Sequence, residues 1–325
     1  MDLTDGIEVL ATAVATADAV VPVGARTHWE VGNPPGAALE IRAPAGIAAY
    51  EPDDLTVTVG AGTSFADLDA ALAESGQECP LDPRDRTATV GGVVASGLSG
   101  IRRLRHGPLR DQVLEVRYVD GDGRLVKGGG PTVKNVTGYD LPRLFVGSLG
   151  TLGVLVQLTL RCRPRPEATR WLRSDTPVDR YRAAAALSDG TRTWIRLEGT
   201  AADVDAQSDG LTEADAPALP EGAHRGRISI APGRLPALGA DLDRVAGVRW
   251  LAEVGVGTVH VAGDHASMLD EARRAAHGHG GWLLREAGGN GIDGFGRPMP
   301  NDELMRRVKG AFDPAGKFSP GRLPL

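Results

Sequence analysis

The stretch from residue 80 to residue 154 holds the residues most suited to chemistry. Its glycines sit where a chain would have to turn tightly or lie close against a bound molecule. Thr89-Val-Gly-Gly92 reads as a helix start with Thr89 at the cap, and the free N–H groups of such a start favour an anion. Glycine takes positive φ and carries no Cβ, so a backbone can approach a phosphate or an aromatic ring. The chemistry on offer is the binding of a phosphate-bearing ligand, although glycine-rich turns also build ordinary loops. No G-x-G-x-x-G follows the first strand, which disfavours a Rossmann dinucleotide fold.

Other side chains offer less. Val259-His-Val-Ala-Gly-Asp-His265 could bring His260, Asp264 and His265 to a metal. Strand alternation at His260, with a new helix opening at Asp264-His265, explains the same letters, and no metal is assigned. His277-Gly-His279 reads as a solvated turn. Arg102, Arg103 and Arg105, with Arg285 and Arg297, could hold a substrate carboxylate in a guanidinium fork. A run such as Ile101-Arg-Arg-Leu-Arg-His106 also suits a solvated face or a docking surface for an acidic partner. No catalytic base can be named.

The elements that must position these groups follow from periodicity. Residues 4–17 read as an amphipathic helix with Ile7, Leu10 and Val14 on one face. Ala19–Val23 reads as a strand ending in the turn Pro22–His28. Leu55–Val59 leads through Gly60-Ala-Gly62 into a helix capped by Thr63 or Ser64, with Phe65, Leu68 and Leu72 buried and Gly76 as its stop. Val113–Val119 and Arg124–Lys127 flank the hairpin signal Asp120-Gly-Asp-Gly123. Leu152–Arg161 reads as a strand apolar on both faces. Arg163-Pro-Arg-Pro166 continues neither helix nor ladder, and a domain boundary is placed there. Beyond it, Trp194–Glu198, Arg227–Ile230 and Gly257–Ala262 are expected strands, and Ala183–Ser188 and His265–Ala276 expected helices. Residues 200–222 are expected to form an exposed loop or hairpin. An antiparallel sheet with helices on one face is the expected layer.

Composition narrows the class. With 325 residues there is room for two domains, and 42% apolar and 24% charged content suits a globular protein. A net charge of −6 with no dominant basic face gives no reason to expect nucleic acid. Cys79 and Cys162 are too few for a disulfide framework or an iron–sulfur cluster of the chain's own, and they suit a reducing cytoplasm. The acidic opening MDLTDGIEVL is unlike a signal peptide, and no run of 18 apolar residues spans a membrane. Peripheral membrane attachment through a partner stays open.

Three runs carry a resemblance: PLDPRDRTATVGGVVASGLSG, RHGPLRDQVLEVRYVDGDGRLVKGGG and VKNVTGYDLPRLFVGSLGTLGVLVQLTLRCRPRP. They resemble the PCMH-type FAD-binding domain of the vanillyl-alcohol oxidase superfamily, and more narrowly the FAD-binding subunits of bacterial glycolate oxidases. Phe312–Gly321 is similar to the F-D-P-x-G-x-(F/L)-N-P-G ending of such proteins, with Ser319 where Asn is usual. The resemblance implies an α+β fold: an FAD-binding domain of two α+β subdomains over 1–162, a small α+β cap over 163–300, and a segment 301–325 returning to the first domain. It implies that Pro22, Gly24, Arg26 and Thr27, with Thr89, Val90, Gly91 and Gly92, wrap the pyrophosphate and ribityl chain. Pro80, Ser96, Gly97, Gly107 and Asp111 would continue that cradle. Lys134, Asn135, Thr137, Gly138, Tyr139 and Asp140 would run beside the isoalloxazine and adenosine, and Gly150, Gly153 and Val154 would complete the adenine side. A histidine of the first loop carries the flavin covalently in parts of the superfamily; here Thr27, not His28, falls at that position, so FAD is expected to be non-covalent.

The activity implied is oxidation of a small 2-hydroxy acid, with hydride passing to the flavin. The partners implied are a larger FAD-containing catalytic subunit and an iron–sulfur subunit. The short second half lacks the metal-binding H-x-G-D-G-N-x-H string of related single-chain dehydrogenases, which points to an accessory flavin subunit. A self-sufficient FAD oxidoreductase using O₂ or a quinone, and a structural subunit that has lost its flavin, are the alternatives.

Overall fold

The structure is a computed structural model that describes residues 3–130, 140–176, 180–288, 292–296, 299 and 301–325. The chain is mixed α+β, built on two antiparallel sheets. It opens with α1 (Leu3–Thr16), β1 (Val20–Pro22), β2 (Leu39–Ile41), β3 (Ile47–Glu51) and β4 (Thr56–Gly60). Ile7, Leu10 and Val14 form the buried face of α1, as their spacing requires. After β4, Ser64 caps α2 (Phe65–Ala73) by accepting from the Asp67 N–H, and Phe65, Leu68 and Leu72 go inward. Then come β5 (Gln77–Glu78), α3 (Val90–Ser96), α4 (Arg103–His106), β6 (Val113–Val119), β7 (Leu125–Gly129), α5 (Leu141–Phe145) and β8 (Val154–Arg161). Strands pair in the order β3-β4-β8-β6-β7, while β1 and β2 form a separate parallel pair. Central β8 is buried on both faces, in keeping with its unbroken apolar run.

The second half begins with β9 (Arg163–Pro164), which pairs back with β5, then β10 (Ala168–Ser174), β11 (Ala185–Ser188), β12 (Thr193–Gly199), α6 (Ala201–Ser208) and β13 (Thr212–Glu213). It continues through β14 (His224–Ser229), α7 (Leu235–Leu242), β15 (Arg249–Glu253), β16 (Thr258–Gly263), α8 (Ala266–Gly278) and β17 (Trp282–Ala287). These strands make an eight-stranded antiparallel sheet, ordered β13-β10-β12-β11-β15-β16-β14-β17. Two expectations are corrected here. Residues 185–188 form a strand, not a helix: Ala185 and Leu187 point into the core while the segment pairs with β12 and β15, and that pairing overrides the helical preference of alanine. Residues 200–222 are not only loop; Thr200 caps α6 by accepting from the Asp203 N–H.

The chain ends with α9 (Asp302–Phe312) and a tail tied to the first sheet's side. Phe318 is fully buried beside Val20, Val119 and Val156. Asp313 accepts from the N–H groups of Lys317 (2.9 Å) and Phe318 (2.8 Å) and pairs with Lys309. Ser319 donates from Oγ to the Gly150 carbonyl at 3.0 Å, so the hydroxyl standing in the usual Asn place still makes a bond.

A buried charge network joins the two sheets. The Arg102 fork donates to both Asp82 oxygens at 2.7 Å and to Glu78 Oε1 at 2.6 Å. Glu198 on β12 lies 2.7 Å from Arg196, 3.4 Å from Arg102 and 3.5 Å from His106. Burial works against the Glu198 carboxylate, but neighbouring His106 and the Arg102 and Arg196 charges lower its pKa to about 2. Removing one partner of such a network strands the others. Arg102→Met is expected to lower unfolding free energy by about 3 kcal/mol, read from the urea midpoint. The folded pKa of Glu198 lies below its ordinary 4.5, so its contribution is complete above about pH 5 and is lost as pH falls toward 2. Thermal unfolding followed from pH 7 to pH 3 should show a smaller acid-induced loss in Glu198→Gln than in the parent; equal losses would remove Glu198 from the account.

Candidate cofactor-binding site

One cleft gathers the end of β1, the loop after it, α3, the turn before β8 and the C-terminal tail. Its walls include Pro22, Gly24, Arg26 and Thr27 from the loop, Thr89, Gly91, Gly92 and Ser96 around α3, and Gly150, Gly153 and Val154 ahead of β8. These residues are far apart in sequence, and the sheet order brings them together. Close approach explains the glycines. A Cβ on Gly24 would meet the Thr89 hydroxyl at 2.2 Å, and one on Gly91 would meet Ala61 at 2.8 Å. Gly150 has φ +71°, a region costly for other residues, and faces Pro22.

The anion donors are not those expected. At the start of α3 the Val90 N–H donates to Thr63 O, the Gly91 N–H to Ala61 O, and the Gly92 N–H to Thr89 Oγ1. Those three N–H groups are therefore not free for a ligand. The loop after β1 differs: among the described residues, the N–H groups of Gly24, Ala25, Arg26, Thr27 and His28 have no acceptor in the protein. Arg26 lies at φ +62°, and a left-handed residue in such a run curls successive N–H groups into a nest for anions.

The cleft also holds positive charge. The Trp29 ring lies 4.5 Å from the Arg26 guanidinium and 5.5 Å from that of Arg322. Arg26 is paired with Glu40. Arg322, only 5% exposed, donates to the His28 carbonyl at 3.3 Å. Burial, reinforced by the charge of Arg285, lowers its pKa to about 10, so it stays charged at neutral pH.

Several expected contacts lie elsewhere. Val90 points into the core under the first sheet. Pro80 is buried outside the cleft, between Cys79 and Leu81. Gly97 closes α3 at φ +69° and lines a neighbouring cleft with Ser96. Gly107 ends α4 at φ +78°, close to exposed Asp111, and neither lines this cleft or its neighbour. Asp140 caps α5 by accepting from the Arg143 N–H. Lys134, Asn135, Thr137, Gly138 and Tyr139, and Arg297, lie outside the described residues. The sequence reading missed Trp29, Ala61, Ala95, Leu149, Leu155 and Arg322. Ala61 stood in a recognised glycine turn and Arg322 directly after the recognised tail, so both had a signal.

A second cleft opens where the first sheet's loops face the second sheet, and Thr27 and His28 line both clefts. The Thr27 hydroxyl lies 3.1 Å from His28 Nδ1. Burial pushes the His28 pKa down, with Glu286 opposing it. Arg227 donates to Glu286 at 2.7 Å and to the Ser99 carbonyl at 2.7 Å. Burial disfavours the Glu286 carboxylate, yet the charges of Arg227, His260 and Arg84 hold its pKa below the ordinary value. Each arginine lining this cleft is ion-paired: Arg84 and Arg225 with Glu221, Arg86 and Arg165 with Asp69, Arg102 and Arg196 in the buried network, and Arg227 with Glu286. Arg102 therefore has no fork left for a substrate. Arg285 is likewise occupied, by the carbonyls of Gly32 and Ile292.

The metal string is divided: His260 Nε2 lies 2.9 Å from Glu253 Oε1, whereas Asp264 pairs with Arg249. Glu78, His106 and Glu198 do gather within 4.8 Å of one another, a grouping no sequence motif announces. Arg102 and Arg196 already neutralise its carboxylates. No described helix is long and apolar enough to cross a membrane.

Residues 2–129 match the FAD-binding-4 family, an FAD binding domain. The chain is 32% identical to the glycolate oxidase subunit GlcE of Escherichia coli (strain K12), over 98% of this chain and 96% of that one. It is 34% identical to the glycolate oxidase subunit GlcD of Bacillus subtilis (strain 168), over 47% of this chain and 33% of that one. A solved alkyldihydroxyacetonephosphate synthase shares the fold at TM-score 0.67 and 13% identity, covering 96% of this chain and 74% of that one. Close-approach glycines, an anion nest and an end-to-end relative thus agree, and the chain belongs to the family of PCMH-type FAD-linked oxidases that includes the glycolate oxidase subunits.

Proposed function

We propose that this chain is the FAD-binding subunit of a multi-subunit oxidase that converts a small 2-hydroxy acid to the 2-oxo acid. FAD is its cofactor. What carries the reading is the extent of likeness to GlcE, which runs through both the cofactor half and the second half. The cleft fits the cofactor on its own features: an unpaired run of N–H groups, glycines that let the backbone come close, and a buried cation without a carboxylate partner among the described residues.

When bound, FAD supplies the ring that accepts the electrons of the hydroxy-acid oxidation. The chain's own residues bind and orient it. The N–H groups of Gly24–His28 would donate to phosphate oxygens, and Arg322 would add charge to the same cleft. Thr89, Gly91, Gly92, Ser96, Gly150, Gly153 and Val154 would form the walls that exclude water. The division at 162/163, with 301–325 serving the first part, belongs to the same proposal.

An accessory role, with substrate chemistry in a larger flavoprotein and electrons leaving through an iron–sulfur subunit, is supported by the second cleft. A carboxylate substrate needs a free guanidinium fork, and each arginine lining that cleft is engaged. Attachment to a membrane would come through those partners.

The direct test is the absorption spectrum of the purified chain from about 300 to 550 nm, before and after anaerobic addition of glycolate or D-lactate. Two flavin bands that stay unbleached are expected. Bleaching would replace the accessory reading with an independent dehydrogenase, and a chain that stays colourless with added FAD would end the cofactor assignment. Gly24→Ala should weaken FAD binding at least tenfold by flavin-fluorescence titration, because the new methyl meets Thr89. Thr89→Ser in the same background removes a methyl but keeps the hydroxyl that clashes, so it should not restore binding.

A further inference from the structure

We propose that the seam between the two sheets carries a second anion site, separate from the flavin cleft, for a small oxyanion bearing two or more negative charges. The site lies on the far side of the Arg102 network, at the end of β8. Four arginines line it: Arg105 of α4, Arg161 and Arg163 at the end of β8 and in β9, and Arg182 ahead of β11. Among the described residues none of the four is in an ion pair, whereas each arginine lining the cleft between the sheets is.

The acids nearby do not compensate them. Glu78 is held by Arg102, and Glu198 by Arg196. Asp54 stands exposed at the rim. Burial pushes the Cys162 thiol up to about 12, so it stays protonated and brings no charge. The Nε atoms of Arg161 and Arg163 are both buried without an acceptor. Arg105 donates to the carbonyls of Glu198 and Arg182, which fixes its position without neutralising it. Arg182 is held at φ +53°, a left-handed conformation that side chains other than glycine adopt at a cost. Burial and the neighbouring charge of Arg161 both press on the Arg163 guanidinium and lower its pKa.

Half-buried like charges gathered around one cleft raise the energy of the unliganded protein, and an oxyanion spanning two forks relieves it. Chloride offers no such geometry, and a single carboxylate answers only one fork. The three arginines Arg105, Arg161 and Arg163 are half-buried, which suits a small ligand better than the face of a folded partner. The proposal does not depend on the flavin reading, since it holds or fails on anion binding alone.

Isothermal titration of the full chain, saturated with FAD to fill the other anion cleft, tests it with inorganic phosphate and with malonate at constant ionic strength in chloride. Saturable binding of one equivalent of either anion is expected, and the tighter of the two identifies a phosphate or a dicarboxylate ligand. In Arg161→Gln/Arg163→Gln the dissociation constant should rise at least tenfold, with FAD affinity unchanged and Arg307→Gln, an exposed site elsewhere, behaving as the parent. Should the double variant fold poorly, Arg161→Lys/Arg163→Lys keeps the charge, loses the forks and should bind at least threefold more weakly than the parent. No saturable binding of either anion, or affinity retained in whichever double variant folds, overturns the proposal.

Discussion

Five consecutive N–H groups, from Gly24 to His28, have no acceptor within the described protein, and much of the first half serves to keep them so. A peptide donor left open is a demand on its surroundings, because backbone groups elsewhere find partners in helices, ladders and turns. Val23 still donates to Ile41, so the strand ends one residue before the nest. Trp29 donates back to Arg26, so regular bonding resumes just after it. Between those points the loop is held from outside: the Arg42 guanidinium donates to the Gly24 carbonyl at 2.6 Å, Arg26 is pinned by Glu40, and Thr89 packs against Gly24. The carbonyls of Gly24, Arg26 and His28 are engaged, while the N–H groups of these cleft-lining residues have no acceptor in the described protein.

The C-terminal tail acts on the same loop through β1. The Val20 N–H donates to Lys317 O, and the Ser319 N–H donates to Val20 O, so the tail meets β1 in a single parallel bridge at Phe318. Lys309 bridges Thr151 O and Phe318 O and so ties the tail to the turn before β8. That turn forms the opposite wall of the cleft, with Gly150 against Pro22. One buried carboxylate, Asp313, organises the tail's own N–H groups. The last residues therefore set the width of a site made almost wholly by the first half, and Arg322 enters the cleft on the same segment.

Much of this was legible in the residues, but unevenly. Helix caps at Ser64 and Thr89, the hairpin at Asp120 and the buried run of β8 are local signals, and each appears where the spacing placed it. The destination of the α3 donors was not local. Thr63 O and Ala61 O reach that turn across more than twenty residues that include α2 and β5, so a threonine-capped glycine pair looked like an anion site while the donors of Val90, Gly91 and Gly92 were already taken. In the second half, Ala183–Ser188 has alanine's helical preference, and only its neighbours in the sheet make it a strand. Strands β10, β15 and β17 escaped notice because arginine, tryptophan and glutamate interrupt their alternation. The arginines of β10 and β15 pair within the second half, Arg170 with Asp205, Arg173 with Asp175 and Arg249 with Asp264, while Arg285 of β17 reaches the first half at the Gly32 carbonyl.

The commitment of arginines shapes what the second half can do. Arg84, Arg102 and Arg165 pair with carboxylates across the seam, and Arg196, Arg225 and Arg227 with carboxylates of the second half, so the cleft gains a defined geometry and gives up free forks for a substrate. Burying such pairs contributes little net stability, because desolvation offsets most of the attraction. Their effect is specificity: Arg102 can satisfy Asp82, Glu78 and Glu198 together only when β5, the loop after it and β12 are in register. An enzyme that worked alone would need at least one arginine of that cleft released for substrate. Under the accessory role proposed above, a subunit that holds a flavin beside another protein could commit every arginine of that cleft.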